Sequence, residues 1–205
     1  YQSFLNRENF LPAFIWHRRF LQCLEQNEKP KRWLLKDPCH LEHLPEILQI
    51  YPNAKFIHIK RDPSETIPSI CSLTHKVRTG FSKNVDKISI GESSLNFWSS
   101  VLKKYSTDRL ELDPNSIIDM KYEDLIADPI REMHKIYNNF GFHLDTKVEE
   151  AMLDYINDST TKMTKLKYIY QHISLLAITL AGWRTLFFLL AQYFLTFSLE
   201  SDDIV

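Results

Sequence analysis

Apolar residues recur every three or four positions near the start of the chain. The stretch "LPAFIWHRRFLQCLEQ", which begins at Leu11 and ends at Gln26, places Phe14, Ile15, Leu21 and Leu24 among Arg and Gln. This spacing places the apolar side chains on one face of a helix. The charged stretch "NEKPKR" follows and breaks the pattern. The pattern therefore predicts a helix of about four turns.

Short apolar runs bounded by turn residues come next. They read "RWLLKD", ending at Asp37, and "KFIHIKRD", ending at Asp62, and each precedes a helical pattern. A third run, "SIIDMKY", extends from Ser116 to Tyr122. Strands that alternate with helices are typical of a parallel sheet covered by helices. The pattern therefore predicts an α/β fold.

Two helices are predicted between the second and third runs, one directly after Arg61 and one beyond a polar loop from Gly80 to Gly91. The second of them carries apolar residues at three- and four-residue spacing. These residues are Leu95, Trp98, Leu102 and Tyr105.

Another helix is predicted from Ile130 to Phe140. Asp128 before it is a typical cap, and Pro129 suits the first helical position. Gly141 just past its end is the usual helix-terminating residue. No internal repeat or low-complexity tract accompanies these elements.

Basic residues stand at the ends of the first two predicted strands, Lys36 on the first and Arg61 on the second. In open α/β sheets ligands bind at this edge, where the N-termini of helices attract anions. Asp62, Pro63 and Glu65 match a cap, a first-turn proline and a capping-box partner. A helix is therefore expected to begin immediately after the arginine.

Ser69 lies seven residues after Asp62, near the same face of that helix two turns on. Its hydroxyl and the Arg61 guanidinium can therefore converge on one anion. A phosphate suits the pair, because the guanidinium offers paired donors and the hydroxyl offers one more. The alternative is that Lys36 and Arg61 are solvated charges and that Ser69 is a surface residue.

Composition narrows the function classes. The chain has 205 residues, is 44% hydrophobic and carries a formal net charge of −1, which argues for a globular protein and against a nucleic-acid partner. Its three cysteines lack a CxxC spacing, so reduced thiols are expected. Cys39, His40 and His43 also lack the paired spacing of zinc sites, so no metal is expected.

Several motifs occur in the order known from one enzyme family. They are "HRRFLQCLEQ", "LLKDPCHLEHLPEILQIYPNAKFIHIKRDP" with Ser69 eight residues past Arg61, and "KYEDLIADPIREMHKIYNNFGF". Together they cover roughly Phe14 to Phe142, and this part of the chain resembles sulfotransferases, in particular the bacterial-type and tyrosylprotein sulfotransferases. The resemblance implies a P-loop-like parallel sheet flanked by helices.

The resemblance also implies an activity, the transfer of a sulfuryl group from the co-substrate 3′-phosphoadenosine 5′-phosphosulfate (PAPS) to a hydroxyl or amine acceptor. Arg61 and Ser69 match the residues that hold the 3′-phosphate of this nucleotide. Lys36 matches the lysine placed against the transferring sulfuryl group, where a fixed positive charge stabilises developing negative charge. Tyr122 matches a position near the adenosine, or is instead a buried structural tyrosine.

The general base implied by the resemblance is a histidine. His40 follows Lys36 by four residues, a spacing that resembles bacterial-type members, and histidine can accept a proton near neutral pH. His43 is expected on the surface of the following helix. The acceptor itself cannot be predicted, because variable loops form acceptor pockets.

The glycine-rich loop that holds the 5′-phosphosulfate in this family has no counterpart in the sequence, whose four glycines stand apart. The N-terminal strand and loop of the fold are therefore expected to be missing, as in a fragment, and these 205 residues are expected to be inactive alone. A non-catalytic homologue that binds a membrane or a partner is the alternative. A P-loop kinase is disfavoured, because its phosphate loop should be present.

The C-terminal part is unusually apolar from Ser174 to Ser198. It predicts a hydrophobic helix, and with it a division into a partial sulfotransferase domain, 1–165, and a helical tail, 166–205. Insertion in a membrane, packing on the core or on a partner, and an altered terminus all remain open. The protein is accordingly expected in the cytoplasm, or on a membrane through residues 174–198.

Overall fold

The computed structural model describes residues 8–25, 32–157 and 194–200. The helices are α1 (Leu11–Leu24), α2 (Leu44–Ile50), α3 (Pro63–Thr79), α4 (Lys87–Asp108), α5 (Tyr122–Ala127), α6 (Pro129–Asn139) and α7 (146–157). The strands are β1 (Arg32–Asp37), β2 (Lys55–Lys60), β3 (Ile117–Lys121) and β4 (Phe194–Glu200). Short 3₁₀ helices cover Pro38–Glu42, Arg109–Glu111 and Pro114–Ser116.

The described strands form one sheet in the order β1-β4-β2-β3. β2 and β3 are parallel, with His58 opposite Asp119. β4 runs antiparallel to both β1 and β2, so β1 points in the same direction as β2 and β3. The α/β class and the common direction of the three predicted strands are confirmed, but the sheet is mixed rather than wholly parallel.

β4 corrects the prediction for the C-terminal segment. Residues 194–198 were expected to continue an apolar helix, yet Phe194–Glu200 is a strand. Its backbone pairs with β1 on one side and β2 on the other, whereas a helix there would leave two strand edges unpaired. The rest of the predicted helix, including its possible membrane contact, lies outside the described residues. Within the described ranges, none of the helices has the length and apolar character needed to cross a membrane.

The core lies where α2 and α4 pack near β2. Its fully buried side chains include Leu41, Leu44, Ile47, Tyr51 and Phe56. The face of α4 that packs in the core differs from the predicted one at two positions. Trp98 and Tyr105 are buried as expected, but Leu95 is exposed, and Val101 is buried while Leu102 is only half-buried.

Capping residues explain where several helices begin. Asp62 accepts a hydrogen bond from the Ser64 amide at 2.7 Å, and α3 starts at Pro63 as predicted. Asp86 accepts from the Ile88 and Ser89 amides at 3.0 and 3.2 Å. This cap starts α4 inside the region predicted to be a polar loop.

The helix predicted between Ile130 and Phe140 is confirmed as α6. Its cap, Asp128, accepts a hydrogen bond from the Arg131 amide at 3.1 Å. The backbone turns at Gly141 with a φ of 68°, the left-handed conformation that favours glycine at a helix end. The cap and the terminating glycine thus lie where the sequence places them.

Two glycines should respond oppositely to alanine. Gly141→Ala should lower the free energy of unfolding by about 1 kcal/mol, because a Cβ is strained at positive φ. Gly91→Ala should raise it by about 0.5–1 kcal/mol, because Gly91 is helical and a Cβ there meets nothing within 4 Å. Urea unfolding of both variants measures the difference, and equal effects would contradict the account of the helix ends.

Candidate functional site

One carboxylate connects β2, β3 and the end of α4. Asp119 on β3 accepts hydrogen bonds from Lys60 Nζ at 2.8 Å and from both terminal nitrogens of Arg109 at 3.1 Å. It also bonds His58 Nδ1 at 2.9 Å. We call these four residues the Asp119 cluster. The cluster fixes the carboxyl ends of β2 and β3 against the segment that follows α4.

Burial keeps His58 neutral, and hydrogen bonds keep Asp119 charged. His58 is 4% exposed, and burial lowers its pKa to about 4 although the bond to Asp119 opposes this. The imidazole is therefore neutral near pH 7, with its Nδ1–H donating to Asp119. Nε2 is then an acceptor, buried without a hydrogen bond to any described residue. Burial raises the pKa of Asp119, but its bonds from Arg109, Lys60 and His58 outweigh this and hold it well below its usual range.

Arg61 leaves the end of β2 next to this cluster. Its Nε and Nη2 donate to Glu65 Oε2 at 3.1 and 2.9 Å, and its Cζ lies 4.5 Å from the centre of the Tyr122 ring. Tyr122 is the first residue of α5, directly after β3. The structure thus brings together Arg61 and Tyr122, the two predicted nucleotide-binding residues that follow β2 and β3.

Glu65 departs from its predicted role. The sequence suggests a capping-box bond to the backbone of Asp62, but the Glu65 carboxylate turns to the guanidinium of Arg61 instead. Asp62 alone supplies the cap of α3. Ser69 lies one turn beyond Glu65 on the same side of α3. It is half-buried, and its hydroxyl makes no hydrogen bond with the residues that the structure describes.

Lys36 is the penultimate residue of β1. Partial burial lowers the pKa of its ammonium group. Asp37 closes the strand and accepts a hydrogen bond from the Cys39 amide at 2.7 Å, which starts the 3₁₀ helix Pro38–Glu42. His40 stands in the middle of this helix and is half-buried. Lys36 and His40 therefore lie at the same carboxyl edge of the sheet, as predicted.

The short helix that carries His40 is anchored from two sides. Leu41, the next residue, is fully buried in the core. Lys104 on α4 donates from Nζ to the Glu42 carbonyl oxygen at 2.7 Å and to the Asp108 carboxylate at 2.6 Å. These contacts hold the backbone on either side of His40 and so fix its position relative to β1.

The neighbours of His40 have structural roles. Burial, followed by the charge of Asp37, raises the pKa of the Cys39 thiol to about 12, so the thiol stays protonated. His43 is not a surface residue as expected, because its ring packs 4.2 Å from that of Phe10 and 5.8 Å from that of Phe14. Burial lowers the pKa of His43.

The part of the chain that is described contains no group of three metal-ligating side chains placed to hold an ion.

Lys36 and Arg61 lie at one edge of the sheet but on strands that are not neighbours. β4 separates β1 from β2, so the two strands are about 10 Å apart at the usual spacing between strands. Lys36 and Ile57 both pair with Thr196 of β4, so Arg61 also lies four residues farther along the sheet than Lys36, and the two residues are farther apart than the strands. Two positive groups at this separation suit an elongated ligand with a negative group at each end. They do not suit a single small anion held by both.

Sequence reasoning missed Asp119 and the contact between Arg61 and Glu65. Asp119 interrupts an otherwise apolar predicted strand, "SIIDM", and a carboxylate among apolar neighbours favours a charged or hydrogen-bonding partner. The need for a partner at Asp119 could therefore be predicted from the sequence. The pairing of Glu65 with Arg61 could not, because a glutamate at this position can equally close a capping box.

A sequence profile described as "Sulfotransferase family" matches residues 6–146. The chain belongs to the sulfotransferase family. This match confirms the resemblance seen in the motifs and identifies the protein as a member of a family of transferase enzymes. It covers the Asp119 cluster and all five predicted site residues, Lys36, His40, Arg61, Ser69 and Tyr122.

Curated relatives agree with this assignment. The chain is 29% identical over 147 residues to the omega-hydroxy-beta-dihydromenaquinone-9 sulfotransferase Stf3 of Mycobacterium bovis and of Mycobacterium tuberculosis, which is 69% of this chain and 38% of each relative. It is 27% identical over 133 residues to protein-tyrosine sulfotransferase 2 of Gallus gallus, or 64% of this chain and 33% of that protein. The chain thus spans well under half the length of these relatives. No solved structure gives a significant match.

The neutral state of His58 predicts a pH dependence of stability. Its pKa is about 4 in the folded protein and about 6.5 when unfolded, so the unfolded state binds more protons between these values. The parent should therefore lose stability as pH falls through this window. Relative to His58→Asn, it should lose about 2 kcal/mol between about pH 7 and pH 4.5.

Urea unfolding of both proteins at the two pH values measures this difference. His134→Asn, which replaces a half-exposed histidine on α6, controls for the loss of a histidine as such. If the difference between the parent and His58→Asn is the same at both pH values, His58 is not held neutral and the charge assignment in the cluster is wrong.

Proposed function

We propose that this chain binds PAPS at the carboxyl edge of its sheet and belongs to an enzyme that transfers the sulfuryl group to a hydroxyl acceptor. The observation that carries the proposal is the contact between Arg61 and Tyr122, with Cζ 4.5 Å from the ring centre. It places a guanidinium and an aromatic ring side by side at the ends of adjacent strands. A guanidinium binds phosphate well and an aromatic ring can contact a nucleoside, so the pair suits a nucleotide.

In the proposal, Arg61 and Ser69 hold the 3′-phosphate, which distinguishes PAPS from ATP. The guanidinium can offer two parallel N–H donors to one phosphate. Ser69 contributes a hydroxyl donor from the same side of α3, and the positive end of that helix favours the negative charge. Tyr122 lies against Arg61 and next to the adenosine.

Lys36 is assigned to the sulfuryl end of the donor. The bond between sulfur and the bridging phosphate oxygen breaks while a bond from the acceptor oxygen to sulfur forms, and adenosine 3′,5′-bisphosphate leaves. A cation next to the bridging oxygen stabilises the negative charge that develops there. His40, on the helix that follows β1, accepts the proton of the acceptor hydroxyl as general base.

The names of the relatives favour a hydroxyl acceptor over an amine. The mycobacterial relatives act on an omega-hydroxylated menaquinone, and the Gallus gallus relative acts on protein tyrosine. Both acceptors present a hydroxyl group. We therefore propose that sulfation by this protein also produces a sulfate ester.

The 205 residues by themselves should show no measurable turnover. They contain no glycine-rich phosphate loop, and positioning of the reacting groups supplies much of the rate of group transfer. Labelled PAPS offered with a panel of alcohols and phenols tests this. Robust transfer by the 205-residue chain would show that the residues described above suffice for the chemistry, whereas nucleotide binding without transfer is the expected result.

Arg61→Ala should weaken binding of adenosine 3′,5′-bisphosphate roughly tenfold to a hundredfold, because it removes a charge-assisted contact of about 1.5–3 kcal/mol. Binding of adenosine 5′-phosphate, which lacks the 3′-phosphate, should be nearly equal in parent and variant. Isothermal titration calorimetry with the two nucleotides measures both effects.

Lys36→Ala is the matched control, since it removes a cation from the same edge of the sheet. It should leave the affinity for the bisphosphate close to that of the parent, because its proposed contact is with the sulfuryl group. If Arg61→Ala weakens both nucleotides alike, Arg61 does not bind the 3′-phosphate and the proposed function loses its main support.

A further inference from the structure

Glu65 occupies the donors of Arg61 that a phosphate would use. Nε and Nη2 of Arg61 both donate to a single carboxylate oxygen, Glu65 Oε2, at 3.1 and 2.9 Å. Within the described residues, Glu65 makes no hydrogen bond or ion pair with any side chain other than Arg61. The carboxylate therefore depends on the arginine for its position.

The spacing along α3 places Glu65 inside the anion site. Glu65 and Ser69 are four residues apart and lie on one face of α3, and Arg61, which precedes the cap residue Asp62, reaches this face through its bonds to Glu65. A phosphate in contact with both Arg61 and Ser69 must lie over the turn that carries Glu65. The carboxylate and the phosphate then compete for the same guanidinium edge and for the same positive helix end.

The relative strengths of the contacts decide which anion prevails. The pair joins the residue before the cap of α3 to the first turn of the helix, and the Glu65 side chain is 59% exposed, so it is an ion pair of the weak, solvent-screened kind. A phosphate dianion offers more charge and more acceptor oxygens to a guanidinium. Bound phosphate therefore displaces the carboxylate into solvent.

Arg61 itself does not require Glu65 to stay in place. Its side chain is only 20% exposed, and its Cζ lies over the Tyr122 ring, 4.5 Å from the ring centre. The contact with Tyr122 is a cation–π contact, whereas the contact with Glu65 is a pair of hydrogen bonds, so loss of the second does not remove the first. Loss of the carboxylate frees an edge of a guanidinium that Tyr122 continues to hold.

We propose that Glu65 is an internal competitor of the 3′-phosphate, which weakens the binding of PAPS and of adenosine 3′,5′-bisphosphate and speeds the release of the bisphosphate product. This inference rests on the proposed function, because it concerns the same phosphate. It makes Glu65 a residue that sets nucleotide affinity.

The test uses Glu65→Gln, which keeps the length of the side chain and its ability to accept a hydrogen bond but removes its charge. Calorimetric titration should show roughly two- to fivefold tighter binding of adenosine 3′,5′-bisphosphate. Stopped-flow displacement should show a correspondingly slower dissociation. Adenosine 5′-phosphate should bind parent and variant equally, which a general change in folding or stability would not produce.

Glu123→Gln is the matched control, since Glu123 is an exposed glutamate adjacent to Tyr122 in sequence, and the hydrogen bonds and ion pair of Arg61 go to Glu65. It should leave both affinities unchanged. Unchanged or weaker bisphosphate binding in Glu65→Gln, or an equal gain in Glu123→Gln, overturns the inference while Arg61→Ala still loses bisphosphate binding. If Arg61→Ala loses none, the proposed function fails, and the role of Glu65 fails with it.

Discussion

The hydrogen bonds of Asp119 are the constraint on which the geometry of the site depends. A carboxylate on a half-buried strand is costly unless it is paired, and here His58, Lys60 and Arg109 pair it from three directions. These bonds hold the ends of β2 and β3 in register. Arg61 follows directly from β2 and Tyr122 directly from β3. The relative position of the guanidinium and the ring therefore depends on the register that the Asp119 cluster holds.

The proposed anion binding depends on local charges rather than on the overall charge of the protein. Its formal net charge is −1, so there is no general field that attracts polyanions. The positive groups at the carboxyl edge are instead separated by β4, with Lys36 at the end of β1 and Arg61 at the end of β2. In the proposed function, this separation corresponds to the distance between the sulfuryl group and the 3′-phosphate of the donor.

The proposed competition between Glu65 and a phosphate follows from the placement of several charged residues at one helix start. One helix start supplies the cap residue Asp62, the arginine that precedes it and the carboxylate that follows it. Because Arg61 is held by Tyr122 and not by Glu65 alone, the carboxylate can move without loss of the site. An enzyme must release its product as well as bind its donor, and product release limits turnover in many enzymes.

Much of the fold could be predicted from local pattern. The strands ending at Asp37 and Lys60 and the helix bounded by Asp128 and Gly141 follow from short apolar runs and caps, which are properties of adjacent residues. The pairing of β4 with β1 and β2 could not be predicted, because "FLTFSLE" continues an apolar run that fits a helix equally well. Tertiary pairing, which the local sequence does not encode, decides between the two.

The site residues also divide into those whose positions could be predicted from sequence spacing and those whose contacts depend on tertiary packing. The order of Lys36, His40, Arg61 and Ser69 along strand ends and helix starts could be predicted, because it depends on spacing. The packing of His43 against Phe10 and Phe14 could not, because it depends on how α1 packs on α2. The salt bridge of Glu65 could not be predicted either, because its carboxylate can reach both the Asp62 backbone and the Arg61 guanidinium, and the folded structure determines which of them it bonds.

The central claim is that Arg61 binds the 3′-phosphate of a nucleotide. Nuclear magnetic resonance tests it most directly, since the Nε–H signal of Arg61 can be assigned by its absence in Arg61→Ala. On titration with adenosine 3′,5′-bisphosphate this signal should shift together with the phosphorus signal of the 3′-phosphate, and adenosine 5′-phosphate should leave it in place. A phosphorus shift confined to the 5′-phosphate, with the Arg61 signal unmoved, would contradict the account.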